Sequence, residues 1–206
     1  MSLPLLLAST SPRRSALLRE AGVAFEVLDP GVSDASEALL LEGAQARGQS
    51  AAACVEELAI AKLLAGLRQA RAGQPVLAAD TTVAHGDAAL GKAPDRRAAA
   101  KMLRRLRGTR HAVHTGVAVL DARGRLQRGV ATTEVEFRDF SEAELETFLA
   151  SEAWRGKAGA YGVQDPESAP LVAAVEGSRS NVIGLPLELV REFLPDLFRS
   201  AKAGDA

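Results

Sequence analysis

The sequence of 206 residues contains little cysteine, few aromatic residues and almost no net charge, and each shortage argues against a class of protein. The single cysteine, Cys54, excludes an intrachain disulfide and favours a reducing compartment. A formal net charge of −1 argues against binding of nucleic-acid duplexes, which usually requires a basic surface. No apolar run reaches about 18 residues, and the run near the N terminus is too short for a signal-peptide core. We therefore expect a soluble, cytoplasmic protein that binds neither nucleic acid nor membranes.

The composition indicates a mixed α/β protein. Hydrophobic residues make up 47% of the chain and aromatic residues only 4%, so we expect a core built mainly from Leu, Val and Ala. The length suits one α/β domain or two small lobes, and predicted helices and strands alternate without an internal repeat. We predict a single domain over residues 1–200 and a frayed tail over residues 201–206.

The N-terminal segment predicts a strand that runs directly into a helix. The signals are an apolar run, an N-cap serine, a proline at the first helical position and a glycine stop: Leu5–Ala8, Ser11, Pro12 and Gly22. The first helical turn carries Arg13 and Arg14. Free backbone N–H groups, the helix dipole and two guanidinium groups together favour a bound anion, above all a phosphate. An ordinary cap followed by two surface arginines fits this segment equally well.

The remaining elements follow from periodicity and turn signals. We predict a second strand at Val27–Leu28, an irregular segment over residues 39–48, and a long helix over residues 50–71. In the middle of the chain we predict a buried strand at 76–79, a hairpin over 83–90 and a helix from Pro94 to Gly108. Strands follow over 111–121 and through 135–137, and the capping box Ser141-Glu142-Ala143-Glu144 begins another helix. The last predicted elements are an apolar stretch at 171–175 and a closing helix from Pro186.

Asp80 is the sharpest catalytic candidate. It follows the apolar run Val76–Ala79, and the carboxyl ends of buried strands are where α/β sheets place ligands. Burial raises the pKa of a carboxyl group, whereas a divalent cation holds it ionised, and either state serves a base or a metal ligand. The alternative is that Asp80 caps the next turn through its side chain.

Two lysines could bring further positive charge to the same place. Lys92 follows Gly91 just ahead of a predicted helix, and Lys62 lies on an otherwise apolar helical face. Together with the two arginines they could converge on a polyphosphate, although a single lysine on a helix is more often a solvated surface group.

Several familiar sites are missing from the sequence. Neither a G-x-x-x-x-G-K-[ST] loop nor a G-x-G-x-x-G motif follows the first strand. His111 and His114 lie on opposite faces of a predicted strand, so they cannot share one metal. Cys54 and Trp154 are best interpreted as packing residues.

The motifs together resemble one family. The chain is similar to the Maf proteins, nucleoside triphosphate pyrophosphatases that cleave between the α- and β-phosphates. The resemblance covers nearly the whole chain, in the family's order, through Ala8-Ser9-Thr10-Ser11-Pro12-Arg13-Arg14, Ala79-Asp80-Thr81, Gly91-Lys92 with Pro94-Asp95, Lys157-Ala158-Gly159-Ala160-Tyr161-Gly162-Val163-Gln164, and Gly177-Ser178 with Asn181-Val182-Ile183-Gly184-Leu185-Pro186.

The resemblance implies a fold, a site and a mechanism. The family fold is an elongated two-lobed α/β structure around a mixed twisted sheet, with the active-site cleft between the lobes, and it is commonly a homodimer. A divalent cation, Mg²⁺ or Mn²⁺, would be held by Asp80 and by Asp34, and Asp80 would also orient or deprotonate the attacking water. The residues implied to bind the triphosphate are Ser9, Arg13, Arg14, Lys62 and Lys92.

Three departures from the family pattern bear on these roles. An extra Ala93 separates Lys92 from Pro94 and could alter the reach of that lysine. The family's Glu-Lys pair is Ala61-Lys62 here, and the acidic residue before that helix is the shorter Asp34.

The resemblance also implies a substrate. The branch acting on 7-methyl-GTP carries Trp, Gln and Glu where this chain has Arg13, Thr81 and Gln164, so the chain resembles the dTTP/UTP branch. Alternatives are a 7-methyl-GTP pyrophosphatase and a non-catalytic nucleotide-binding regulator of septum formation. A pyrophosphatase for deaminated purines is a third, against which the Ser-Pro-Arg-Arg motif argues.

Overall fold

Within the part of the chain that the structure describes, the apolar runs of the sequence form the middle of one mixed sheet of seven strands. The computed structural model describes residues 3–86 and 88–199, without the side chains of Asp34, Gln45 and Arg199, so the predicted tail lies outside the described residues. The strands are β1 (Leu5–Ala8), β2 (Phe25–Leu28), β3 (Val76–His85), β4 (Ala88–Leu90), β5 (Arg110–Leu120), β6 (Leu126–Phe137) and β7 (Val172–Glu176).

The strand order confirms the predicted mixed sheet. It runs β2-β1-β3-β5-β6-β7, and β4 pairs with the last residues of β3. β1 pairs in parallel with β2 and β3, whereas the pairs β3–β5, β5–β6 and β6–β7 are antiparallel.

Helices cover the sheet, and most of them begin at the capping residues that the sequence indicates. They are α1 (Pro12–Glu20), α2 (Asp34–Ala46), α3 (Ala51–Leu67), α4 (Arg96–Leu106), α5 (Glu142–Ala150), α6 (Arg179–Ile183), α7 (Leu187–Phe193) and α8 (Pro195–Arg199). Ser11 is the N-cap of α1, and both bonds of the predicted capping box are present between Ser141 and Glu144. Within the described residues, no helix has the length and apolarity needed to cross a membrane.

The core divides into two lobes of different composition. In the first lobe, α1, α7 and α8 pack on one face of the sheet and α3 packs on the other, around Leu, Val and Ala side chains. In the second lobe, α4 and α5 pack against the far ends of β3, β5 and β6. The expectation of a core built mainly from Leu, Val and Ala is confirmed in both lobes, and in the second lobe these side chains are joined by aromatic residues: Phe137, Phe140, Phe148, Trp154 and Tyr161.

Helix α3 lies unusually close to the sheet, and this closeness places its buried face. A Cβ atom at Gly116 of β5 would lie 2.2 Å from the backbone oxygen of Val55, so only glycine allows the approach. Because of this close packing, the buried residues Ala59, Lys62 and Leu63 of α3 face the middle of β3 and β5.

The prediction of an irregular segment over residues 39–48 was wrong, because α2 runs from Asp34 to Ala46. Leu39 is 70% exposed and Leu40 is 48% exposed, so the leucine run does not mark the buried face that periodicity detects. Leu41 and Ala44 instead pack against Cys54 and Leu58 of α3. The short helix α6 was also not predicted.

Candidate active site

One cavity of about 350 Å³ lies between the lobes and gathers most of the residues that the sequence indicates. Its walls come from the β1–α1 junction, α2, α3, β3, the segment 156–164 and α6. The predicted site residues among its lining are Ser9, Arg13, Arg14, Lys62, Asp80, Thr81, Lys92 and Gln164. The remaining one, Asp34, begins α2, but its side chain lies outside the described residues.

Asp80 does not end its strand, contrary to the sequence interpretation. β3 continues through Asp80 to His85, and the alternative of a cap for a following turn is excluded because no turn follows. Within the described chain, β1 pairs with β3 only near Val76 and Leu77, and β4 pairs only from Val83 onwards. Asp80 thus lies in the gap between two neighbouring strands, where the edge of β3 opens into the cavity.

Lys62 is a buried partner of Asp80 rather than a solvated surface group. It is 5% exposed, and its Nζ donates to Oδ1 of Asp80 at 2.5 Å. Burial raises the pKa of the Asp80 carboxyl group, and the positive charges of Lys62 and Arg14 only partly oppose this effect. The group is therefore a better proton acceptor than an exposed aspartate.

Glu37 of α2 is the main site residue that the sequence reasoning missed. Its Oε1 lies 2.5 Å from Nζ of Lys62, and its Oε2 accepts a hydrogen bond from Nζ of Lys92 at 3.1 Å. Burial raises the pKa of Glu37, but the two lysines outweigh it and lower the pKa overall. Ser33 carries the signal that could have found this residue, because its Oγ accepts from the backbone N–H of Ser36 as an N-cap does.

The hydrogen bond with Glu37 places the side chain of Lys92 at the cavity. The extra Ala93 is buried in the core of the second lobe, and Lys92 keeps its place at the cavity. The backbone around Lys92 is tied to the segment 156–164, because Lys92 forms a β-bridge with Ala158 and the N–H of Gly159 donates to the Leu90 oxygen at 3.2 Å.

Arg14 is buried and braces the β1–α1 junction. Its guanidinium donates to the Gly184 oxygen at 2.8 Å, to Oγ of Ser9 at 3.1 Å and to Oγ1 of Thr81 at 3.2 Å. Burial lowers its pKa, although Asp80 and Glu37 favour the charged form. A guanidinium has five N–H donors, so two remain for an anion. Thr81 is fixed in turn by Thr115, whose Oγ1 lies 2.9 Å away.

The opposite end of the cavity is built from the loop that follows α5. Arg13 reaches across the cleft and donates to the Gly156 oxygen at 3.0 Å. Burial lowers its pKa, and the negative charge of Asp165 opposes this. Gln164 donates from Nε2 to Oδ1 of Asp165 at 2.9 Å. Arg13 and Gln164 thus lie near Asp165, whereas the side chain of Thr81 contacts Arg14 instead.

We call the end of the cavity formed by Lys62, Asp80, Glu37 and Lys92 the charged end. Two carboxylate groups are available there to a metal ion. Asp80 and Glu37 contact the same ammonium group of Lys62. Among the described residues, no group of three or more His, Cys, Asp or Glu side chains is arranged to hold a metal ion. His111 is bonded to the hydroxyl of Tyr161 at 2.7 Å, and burial lowers its pKa to about 4, so it stays a neutral structural group.

Comparison with known proteins gives matches over nearly the whole chain. Residues 4–197 match the family described as Maf-like protein. A dTTP/UTP pyrophosphatase of Rhodospirillum rubrum is 40% identical over 89% of this chain and 83% of its own length. One of Salinibacter ruber is 41% identical over 98% of this chain and 97% of its own. Among solved structures, the Staphylococcus aureus Ham1 protein shares the fold, with a TM-score of 0.52 at 14% identity, covering 94% of this chain and 99% of that one.

Proposed function

The chain belongs to the Maf family, and on this premise we propose that it hydrolyses nucleoside triphosphates, dTTP and UTP in particular, between the α- and β-phosphates. The products are the nucleoside monophosphate and pyrophosphate. Such an activity removes nucleotides from the cellular pool. Cytoplasmic location, a single domain and a homodimeric assembly stay predictions that accompany this proposal.

The observation that carries the proposal is the cluster of the buried Lys62 and Asp80 with the partly buried Glu37 at one end of the cavity. Asp80 is 6% exposed and borders a space lined by five cationic side chains. A protein that only bound a polyphosphate would gain nothing from carboxylates beside it, because like charges repel. The cluster therefore favours hydrolysis over the non-catalytic regulator.

The donor set fits a divalent cation such as Mg²⁺ or Mn²⁺. Magnesium is usually held by one or two carboxylates together with substrate phosphates and water, and Asp80 and Glu37 are two carboxylates close enough to contact the same ammonium group of Lys62. When bound, the cation would stabilise charge on the leaving pyrophosphate. Asp34 stays a predicted third ligand.

The chain's own residues perform the remaining steps. Arg14 and Lys92 bind the phosphates, and Ser9 with the free N–H groups at the start of α1 completes the anion site. Asp80 orients a water molecule at the α-phosphorus and accepts its proton, for which its raised pKa suits it. Lys62 holds the two carboxylates in place and prevents their mutual repulsion.

The segment 156–164 and Arg13 form the other end of the cavity and receive the nucleobase. Arg13, Thr81 and Gln164 are the residues that favour thymine and uracil over 7-methylguanine. A glutamine amide matches the O4 acceptor and N3–H donor of a uracil ring, whereas a glutamate would suit the donor edge of 7-methylguanine.

The test is the release of monophosphate and pyrophosphate from dTTP, UTP, CTP and 7-methyl-GTP, with and without Mg²⁺. We expect the highest kcat/KM with dTTP and UTP, and only in the presence of the cation. A preference for 7-methyl-GTP would overturn the substrate assignment alone. Tight nucleotide binding without any hydrolysis would overturn the enzyme assignment.

A further inference from the structure

The amide of Gln164 is held at one end and unsatisfied at the other. Its Nε2 donates to Oδ1 of Asp165 at 2.9 Å. Its Oε1 is buried without a hydrogen-bond partner, although Gln164 lines the cavity. A buried acceptor without a donor is unfavourable, so this oxygen favours any ligand that brings it an N–H group.

Asp165 determines which atom of the Gln164 amide remains without a hydrogen-bond partner. A carboxylate can only accept, so it must face the amide nitrogen and leave the carbonyl oxygen for another donor. Asp165 is itself fixed by Lys157, whose Nζ donates to its Oδ2 and to the backbone oxygen of Ala153. The side chains of Lys157 and Asp165 are 12% and 21% exposed, so solvent competes little for their contact.

The side chains of Gln164 and Asp165 lie close to the backbone of Gly162. They fold over Gly162, where a Cβ atom would lie 2.5 Å from Nε2 of Gln164 and 2.6 Å from Oδ2 of Asp165. The missing side chain at Gly162 thus leaves space in which the amide and the carboxylate meet.

We propose that Lys157 and Asp165 are positioning residues that set the amide of Gln164 to accept a hydrogen bond from the ring N–H of a pyrimidine base. The inference rests on the proposed function and deepens it. The buried oxygen reaches the base by a small turn of the amide about its contact with Asp165. Uracil and thymine carry the required N3–H between two carbonyl groups, whereas cytosine has a bare N3 acceptor at that position.

The experiment compares UTP with N3-methyl-UTP, in which a methyl group replaces the donor hydrogen on N3. For the wild type we expect kcat/KM to be about tenfold or more higher with UTP, because the methylated base leaves the Gln164 oxygen unpaired. In Asp165→Asn the amide can present either end, and the ratio should fall to within about threefold. The loss should appear mainly in KM, since the base lies away from the reacting phosphorus.

A double-mutant cycle separates positioning from a merely structural role. Because Asp165 acts through Gln164, adding Asp165→Asn to Gln164→Ala should leave the ratio of Gln164→Ala unchanged. The matched control is Glu152→Gln, which makes the same carboxylate-to-amide change in the exposed pair of Glu152 with Arg155. Should Asp165→Asn fail to fold because Lys157 is left unpaired, the variant Lys157→Met with Asp165→Asn removes both charges.

The outcomes distinguish this inference from the proposed function. A wild type that does not hydrolyse UTP contradicts the proposed function. A wild type that hydrolyses UTP and N3-methyl-UTP equally well overturns only the assignment of the Gln164 oxygen. A wild-type ratio retained in Asp165→Asn, or an additive loss in the cycle, overturns the positioning role of Asp165.

Discussion

The two ends of the cavity are built from different parts of the fold. At the charged end, Lys62 and Asp80 come from the middle of a long helix and of a long buried strand, where packing fixes their backbones. At the other end, Gln164 and Asp165 come from a loop and are fixed by side chains and backbone carbonyls of that loop. Substitutions at the charged end should therefore reduce activity strongly and by the same factor for all nucleotides. The end formed by Gln164 and Asp165, which we call the loop end, can vary in sequence and determines which base is accepted.

The largest combined loss of stability and turnover is expected for Lys62→Met, which leaves the buried carboxylate of Asp80 and the partly buried carboxylate of Glu37 without their shared cation. Breaking a buried ion pair costs about 3–5 kcal/mol of stability. We expect a clearly lower denaturation midpoint and a loss of turnover of about 100-fold for every nucleotide. Urea denaturation and steady-state kinetics measure both. The exposed Lys101→Met is the matched control and should change neither.

A smaller uniform loss is expected for Lys92→Ala. Charge-assisted contacts are worth about 1.5–3 kcal/mol, so kcat/KM should fall by about 10- to 100-fold, equally for UTP and CTP. Binding of the monophosphate, followed by calorimetry, should weaken less. A loss confined to one base would show that Lys92 serves the loop end instead.

The third prediction concerns conversion to the 7-methyl-GTP pattern by Arg13→Trp, Thr81→Gln and Gln164→Glu. The last change places a second carboxylate beside Asp165, where like charges repel. We expect the triple variant to lose UTP activity but to gain little with 7-methyl-GTP. Adding Asp165→Asn should raise 7-methyl-GTP turnover about tenfold further. If the triple variant alone switches preference fully, Asp165 does not constrain residue 164.

The smallest effect is expected in the pH profile. Burial raises the pKa of Asp80, so the base becomes ionised only above the ordinary aspartate range, and kcat/KM should rise with pH through that raised pKa. The pKa of Glu37 is lowered overall, so its contribution to stability is present at neutral pH and is lost only as pH falls through that lowered value. The acid limb of the rate profile should therefore precede acid unfolding. An acid limb that coincides with unfolding would contradict this.

The comparison also explains what the sequence could predict. The β1–α1 junction and the capping box rely on local signals, namely Ser11 before Pro12 and Ser141 before Glu144, and both were predicted correctly. Glu37 was missed because α2 exposes Leu39 and Leu40 and shows no clear buried face. Asp165 was missed because its contacts with Lys157 and with the amide of Gln164 form within one irregular loop, whose conformation no periodic pattern indicates.

The measurement that tests the account most directly compares the wild type with Asp80→Asn on UTP in the presence of Mg²⁺. The substitution is nearly isosteric and removes the proton acceptor, so we expect turnover to fall by at least about 100-fold. The fold and much of the affinity for UTP should be retained, as shown by circular dichroism and calorimetry. Turnover close to that of the wild type would contradict the assignment of Asp80 and, with it, the hydrolytic role of the charged end.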